Sequence, residues 1–340
     1  MKLIRTEDAV GQVLCHDLTR IVKDEMKGVQ FKKGHIVQKE DIPMLLSMGK
    51  EHLYIYEMDA NALHEDEAAE ELCALLINDG MERKGPSEGK IELSARTDGL
   101  FLADADRMQS INSIGEIMIA TRHSGTAVKA GDKLCGTRVI PLVIDKAKIE
   151  LAKSIADHGP LLTLHPFKPM RAGVITTGSE VYSGRIKDTF TPVVVDKLRQ
   201  YGITTAEHTV TDDSAEMILS AIRAMREKGL DMLLLTGGMS VDPDDRTPGA
   251  IRESGAEIVT YGAPVLPGAM FLMGYYPDGA PVMGLPGCVM YAKATIFDIL
   301  LPYAAAGVRV TKELIAGMGN GGLCLSCASC SYPNCGFGKF

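Results

Sequence analysis

The sequence predicts an α/β protein whose main domain is a largely parallel sheet covered by helices on both faces. Two observations carry this. From residue 172 onward, short apolar runs alternate with amphipathic stretches of helical period, the pattern of parallel strands joined by crossover helices. Three strand-like runs also end in glycine-bearing turns that lead towards helices, which is where such sheets bind ligands. A chain of 340 residues exceeds one ordinary core, so smaller mixed α/β domains are expected beside this one.

Residues 1–58 read as an N-terminal accessory domain. Within it, residues 40–49 form a short helix pattern with Pro43 near its start and Gly49 as its stop, followed by the strand-like Leu53-Tyr54-Ile55-Tyr56. Residues 59–165 read as a mixed, β-rich middle domain. It opens with an amphipathic helix over 64–79, whose Leu72, Leu75 and Leu76 face ends at Gly80. The charge run from Glu65 to Glu71 reads as its solvated face. Glycine-punctuated apolar runs at 99–102, 116–120 and 138–144 then read as strands.

The run Pro166-Phe167-Lys168-Pro169 marks a linker into the third domain, residues 166–308. There, 172–177, 231–235 and 281–285 are buried-strand patterns. Thr191-Pro192 supplies a cap and first-turn proline for a helix stopped by Gly202. Asp213-x-x-Glu216 is a capping-box variant before a helix stopped by Gly229. Thr247-Pro248 caps a third helix, and Pro286-Gly287 leads into a fourth. Residues 309–340 form a Cys-rich C-terminal tail.

Composition narrows the function. The net charge is −8, tryptophan is absent and aromatics are 5%, which argues against nucleic-acid and anionic-membrane partners. The N-terminus is charged too early for a signal peptide. The longest apolar stretch, 299–308, is interrupted by Pro302 and Gly307 and falls short of the roughly 20 residues a spanning helix needs. A cytoplasmic location is expected.

The chemistry is expected at the glycine turns: Thr177-Gly178-Ser179-Glu180, Thr236-Gly237-Gly238-Met239-Ser240, and Leu285-Pro286-Gly287-Cys288. Glycine lets the backbone approach a ligand, and the N-terminus of a following helix offers free N–H groups to an anion. Together they point to a phosphorylated ligand. The second turn continues through Asp242, Asp244 and Asp245 to Thr247, three aspartates in four residues. Beside a phosphate cradle these suit Mg²⁺; alone they suit an acidic loop capping the next helix. Cys288 sits at a helix N-terminus, where a thiolate is stabilised and able to touch a ligand, or it is a small buried residue. His35, His123 and His165 show no pairing at metal spacing.

In order, Thr176-Thr177-Gly178-Ser179-Glu180-Val181, Asp188-Thr189, Val210-Thr211-Asp212-Asp213, Thr236-Gly237-Gly238-Met239-Ser240-Val241, Asp245, Leu266-Pro267-Gly268 and Gly284-Leu285-Pro286-Gly287 resemble the motifs of molybdopterin molybdotransferases. The run Asp245-Arg246-Thr247-Pro248 also resembles molybdopterin adenylyltransferases. The resemblance covers residues 171–303 well and extends faintly into Asp8-Ala9-Val10-Gly11 and residues 33–49. It implies a three-layer α/β/α molybdopterin-binding domain that inserts molybdate into adenylated molybdopterin with Mg²⁺, releasing AMP. On that likeness Glu180 and Asp245 take the metal or molybdate end. Gly178, Ser179, Asp188, Thr236, Gly237, Gly238, Ser240, Asp242, Thr247, Pro267, Gly268, Pro286, Gly287 and Cys288 line the cofactor.

Several positions depart from the transferase pattern. Gly-Asp-Glu-Leu is here Gly178-Ser179-Glu180-Val181, and Asp-Thr-Asn is Asp188-Thr189-Phe190. Pro-Gly-Lys-Pro is Pro267-Gly268-Ala269-Met270, which deletes a cation beside an anion site, and Gly-Leu-Pro-Gly-Asn-Pro ends here in Cys288-Val289. Binding is therefore the firmer expectation than molybdenum insertion. A non-catalytic carrier or regulator, and a competence-damage-type nucleotide pyrophosphatase, are the alternatives. The implied partners are molybdopterin or its adenylated form and molybdate, with a recipient molybdoenzyme and a second copy of the chain as further candidates.

The tail carries Cys324, Cys327, Cys330 and Cys335: two consecutive C-x-x-C steps and a fourth cysteine after four residues. Four soft ligands within reach of one centre suit an iron–sulfur cluster or tetrahedral zinc. The last gap is one residue longer than in a ferredoxin-type run, and the proline precedes the final cysteine, so both metals stay open.

Overall fold

The computed structural model describes residues 2–22, 26–55, 61–240, 242 and 245–339. Tyr56, Val241, Pro243 and Asp244 from the segments above, and the boundary at residues 58 and 59, lie outside these. The chain divides into two compact units. The first comprises residues 1–94, 104–121 and 133–162, and the second 95–103, 122–132 and 163–340.

In the first unit, Lys2–Arg5 pairs antiparallel with His52–Ile55, and Leu18–Val22 pairs antiparallel with Met26–Phe31. Leu14, Leu18, Phe31, Val37, Leu45 and Leu53 make a small core there. The helix Ile42–Ser47 has Pro43 in its first turn, and Gly49 beyond it takes φ +74°. The next helix, Glu65–Leu76, is shorter than its sequence pattern. His64 caps it by accepting the Asp66 amide, with Glu67 closing the capping box. Its buried face is Ala68, Ala69, Leu72, Cys73 and Leu76, with Leu75 only at the margin. The Glu65–Glu71 run is not wholly solvated: Glu65 is 7% exposed, and burial raises its carboxyl, with Arg138 3.8 Å away. A four-stranded sheet of Met81–Ser87, Lys90–Ala95, Lys133–Val139 and Ile117–Thr121 follows, with the helices Ala105–Asn112 and Lys146–Ala156 in the same unit. The apolar run expected as one strand over 138–144 is two, Lys133–Val139 and Val143–Asp145, broken around Pro141.

The second unit is built on a six-stranded sheet. Its strands are β1 (Met170–Thr177), β2 (Ile203–Thr211), β3 (Met232–Thr236), β4 (Glu257–Tyr261), β5 (Leu272–Tyr275) and β6 (Pro281–Leu285). The spatial order is β2-β1-β3-β6-β5-β4. The first four of these run parallel; β5 and β4 are antiparallel additions. Six helices are used below: α1 (Ser179–Tyr182), α2 (Phe190–Arg199), α3 (Ala215–Glu227), α4 (Thr247–Glu253), α5 (Ile296–Ala306) and α6 (Lys312–Gly317).

Alternation along each strand sends neighbours to opposite faces. Val174, Leu234 and Met283 pack with Val194 and Leu198 of α2 and Phe297 and Leu300 of α5. Ile175, Leu233, Leu235 and Val282 pack with Ile218 and Ile222 of α3 and Ile251 of α4. The result is the expected three-layer α/β/α arrangement. Because both faces are covered, the central strands are continuous apolar runs, which is why the sequence displays them. The chain does not pass from Pro286-Gly287 straight into a helix. A single 3₁₀ turn, Gly287–Met290, comes first, and α5 has its own cap, Thr295 with Asp298. Gly99–Ala103, Thr126–Val128 and Leu162–Pro166 form a small separate sheet in this unit. The C-terminal segment belongs to the same core through Val310, Ile315, Met318 and Phe337. Among the described residues no helix is long and apolar enough to cross a membrane.

Candidate functional site

The carboxyl ends of β1, β2, β3 and β6 point to one edge of the sheet, and the glycine turns lie there. Leu272 of β5 pairs with Gly284 near the end of β6, which brings the Pro267-Gly268 turn to the same edge.

The turn after β3 presses against the end of β1. Gly237 (φ +87°) lies so close to the Thr177 carbonyl oxygen that a Cβ would collide with backbone. At Gly238 (φ +55°) a Cβ would meet the Thr247 hydroxyl at 2.7 Å. Both conformations and both approaches require glycine. Thr247 is not the cap of α4 but its first residue, and its hydroxyl donates to the Gly237 carbonyl at 3.0 Å, fastening helix to turn. The Thr177 and Thr247 hydroxyls lie 3.4 Å apart.

Asp188 gathers a second set of groups. It accepts the amides of Phe190 at 2.9 Å and Thr191 at 3.0 Å, so it, and not Thr191, satisfies the first N–H groups of α2. The Thr176 hydroxyl donates to it at 3.2 Å and lies 2.8 Å from that of Thr191. The His208 ring nitrogen sits 3.1 Å from Thr176 and 3.2 Å from Thr191. Burial by itself would raise the Asp188 carboxyl. The hydrogen bonds from Thr191, Phe190 and Thr176 outweigh it and hold the group below the usual carboxylate range. His208 was not singled out in the sequence; nothing local marks it, because the strand that carries it reads as polar.

Other expected ligand groups are committed to the protein. Ser179 donates its amide and its hydroxyl to Asp213, both at 2.8 Å. Asp213 therefore braces the β1 turn, while Ser214 caps α3. The Ser240 amide donates to Asp245 at 2.6 Å, and Tyr261 donates to the Ser240 carbonyl at 3.0 Å, which closes the loop after β3. Glu180 is exposed on α1, and Asp242 is also exposed. Among the described residues no three His, Cys, Asp or Glu side chains converge to hold a metal ion.

Thr236 is different. Its hydroxyl is buried at the end of β3, as is that of Thr211 at the end of β2, and among the described residues neither has a hydrogen-bond partner. A buried hydroxyl left without a partner costs about 1–3 kcal/mol, so groups like these select for a ligand or ordered water.

At β6, Pro286 is buried, Gly287 exposed and Cys288 half-buried. Burial raises the Cys288 thiol, so the stabilised thiolate expected of a helix N-terminus is not what this position favours. The Thr189 hydroxyl contacts the Met290 sulfur at 3.2 Å, tying the Asp188 turn to this one. Gly268 (φ +129°) abuts Ile296 at the start of α5. Cys324, Cys327, Cys330 and Cys335 line one cavity of about 470 Å³, and Pro267 forms part of its wall. All four are free thiols.

Residues 173–306 match the family described as a probable molybdopterin binding domain, and residues 3–57 match a domain of unknown function. A CinA-like protein of Mycobacterium tuberculosis is 36% identical over 90 residues, 26% of this chain and 21% of that protein. A CinA-like protein of Mycobacterium leprae is 35% identical over 77 residues, 23% and 18% respectively. The chain thus spans about a fifth of the length of the curated relatives it matches. Among solved structures, the molybdopterin biosynthesis enzyme MoaB of Thermus thermophilus is 22% identical, over 39% of this chain and 91% of that one, with a TM-score of 0.32. CinA of Thermoplasma acidophilum is 19% identical, over 40% and 98%, with a TM-score of 0.35. Residues 173–306 of this chain are a domain of the molybdopterin-binding family.

Proposed function

We propose that the carboxyl edge of the six-stranded sheet binds molybdopterin or its adenylated form, and that the chain takes part in molybdenum-cofactor biosynthesis. The observation that supports this most is the buried Thr236 hydroxyl, without a partner among the described residues, directly beside Gly237 and Gly238. A polar group held out of water next to closely approached backbone suits a phosphate-bearing ligand. The reaction that this reading carries forward is molybdate insertion with Mg²⁺ and release of AMP, with Glu180 and Asp245 as the carboxylates assigned to it. Among the described residues no group of three or more metal-ligating side chains contains them, and the cation of the transferase pattern is absent at Ala269, so cofactor binding stands ahead of insertion.

Calorimetric titration of the full chain with molybdopterin and with adenylated molybdopterin tests the binding; no saturable heat from either overturns it. Adding molybdate and Mg²⁺ to the adenylated complex and following AMP tests the chemistry. Molybdate-dependent AMP release supports insertion, and binding without turnover supports a carrier or regulator that serves a recipient molybdoenzyme. A second reading, nucleotide pyrophosphatase, is favoured by the identity to CinA-like proteins and by Asp245-Arg246-Thr247-Pro248. Cleavage of an ADP-ribose-like nucleotide would establish it. We also assign a metal centre, iron–sulfur or zinc, to Cys324, Cys327, Cys330 and Cys335, because all four face one cavity.

A further inference from the structure

The cysteine segment is anchored at both ends. On its upstream side the Leu266 amide donates to the Gly322 carbonyl, and the Cys324 amide donates to the Leu266 carbonyl, both at 2.8 Å. On its downstream side Phe337 lies in the domain core, and the Gly338 amide donates to the Gly321 carbonyl at 3.0 Å. Between these anchors the Tyr332 hydroxyl donates to the Asp298 carbonyl at 3.0 Å. The segment that carries the cysteines is therefore tied to the domain on both sides of their cavity.

That matters for what they can bind. A tetrahedral zinc draws four sulfurs to about 2.3 Å from one point, which places them only about 3.8 Å from one another. Here the four cysteines line a cavity of about 470 Å³, and no three donors converge among the described residues. An iron–sulfur cluster places its own iron and sulfide atoms between the thiolates and so spaces them around a volume. The rest of the wall suits it: Pro267, Leu323, Leu325 and Phe337 are apolar, and Lys293 brings one positive charge to an assembly that carries net negative charge.

We infer that Cys324, Cys327, Cys330 and Cys335 ligate a polynuclear iron–sulfur cluster seated against the Pro267-Gly268 turn. The inference rests on the metal centre proposed above and names its kind. Through the Leu266 pairing, the cluster lies beside a turn of the molybdopterin-binding domain.

The test is metal and sulfide analysis of the full chain isolated anaerobically, before and after reconstitution with ferrous iron and sulfide. The expected result is about four iron and four sulfide per chain, with a broad absorption near ~400 nm. Cys327 and Cys330 are exposed, so the Cys327→Ser/Cys330→Ser variant should keep its far-UV circular dichroism and lose that absorption. One equivalent of colourless zinc that iron and sulfide do not replace overturns the cluster while leaving a metal centre in place. Four titratable thiols with no bound metal overturn both. An unchanged spectrum in the folded double variant overturns the assignment of these cysteines.

Discussion

The glycine turns and the cysteine segment lie in one unit, with Pro267 and Gly268 between them, yet they are built in opposite ways. The turns are made by leaving side chains out. Gly237 and Gly238 let backbone reach Thr177 and Thr247, and the polar groups around them are largely tied to one another. The cysteine segment is made by putting side chains in, with four soft donors lining one cavity in a segment tied to the domain on both sides. A site made of backbone conformation should fail abruptly when one Cβ is added. A site made of side-chain atoms should lose its occupant donor by donor while the fold persists.

The largest effect is expected at the carboxylates assigned to insertion. Glu180→Gln and Asp245→Asn should each lower molybdate-dependent AMP release by about 10²-fold or more, the scale on which a single electrostatic group acts in a transition state. Glu180 is exposed on α1, so its substitution should leave folding stability within about 0.5 kcal/mol. Wild-type turnover in both variants would mean that the reacting end lies elsewhere.

Next in size is Gly238→Val. A β-branched residue at φ +55° is strained by about 1–3 kcal/mol, and its Cβ would press on Thr247. Molybdopterin affinity by calorimetry should fall by at least ~100-fold, since the β3 turn must shift away from its ligand position. A folded variant with unchanged affinity would make the turn a purely structural device.

The contrast between the two sites also governs what could be read without coordinates. β1, β3 and β6 were legible because strands covered on both faces are unbroken apolar runs. β2 was not, because it is an edge strand with His208 and Thr209 exposed, and its Thr204-Thr205-Ala206-Glu207 run has no apolar signature. β4 and β5 are short and follow glycines, so they blend into their turns. The glycine turns announced themselves, but the groups that brace them did not. Asp188 links residues from three elements, and Asp213 looked like a helix cap because Asp, Ser and Thr are interchangeable in that local pattern. Only the pairing of β1 with β2 puts Asp213 beside Ser179. The cysteine spacing was legible as a metal motif, whereas its cavity depends on Leu266 and Phe337 and has no local trace.

Asp188→Ala probes how firmly the turn edge is braced. It removes the acceptor for two α2 amides and for Thr176, and the side chain is only 16% exposed, so a loss of about 1–2 kcal/mol is expected in urea unfolding at pH 7. The sign with pH follows from the depressed carboxyl. Its folded value lies below the unfolded value of about 3.9, so its contribution is complete above that pH and is lost as pH falls through the folded value. The gap between wild type and variant should therefore begin to narrow below about pH 4. A gap of the same size at pH 3 and pH 7 would show that the carboxylate charge is not what holds the helix start.

The smallest effect separates brace from ligand at Ser179. If its hydroxyl serves only Asp213, Ser179→Ala removes one exposed charge-assisted hydrogen bond while the amide keeps its own bond to the same carboxylate. The cost should then be at most about 1 kcal/mol of stability, with molybdopterin affinity unchanged. Asp213→Ala should cost more, because it leaves both Ser179 donors and the turn without their acceptor. If the ligand instead competes with Asp213 for the hydroxyl, Ser179→Ala lowers affinity and leaves the melting temperature alone, and Asp213→Ala leaves affinity intact or raises it by freeing the donor. Measuring both variants by calorimetry and by thermal unfolding places the edge of the binding site on one side of Ser179 or the other, since the two arrangements move the two readouts in opposite directions.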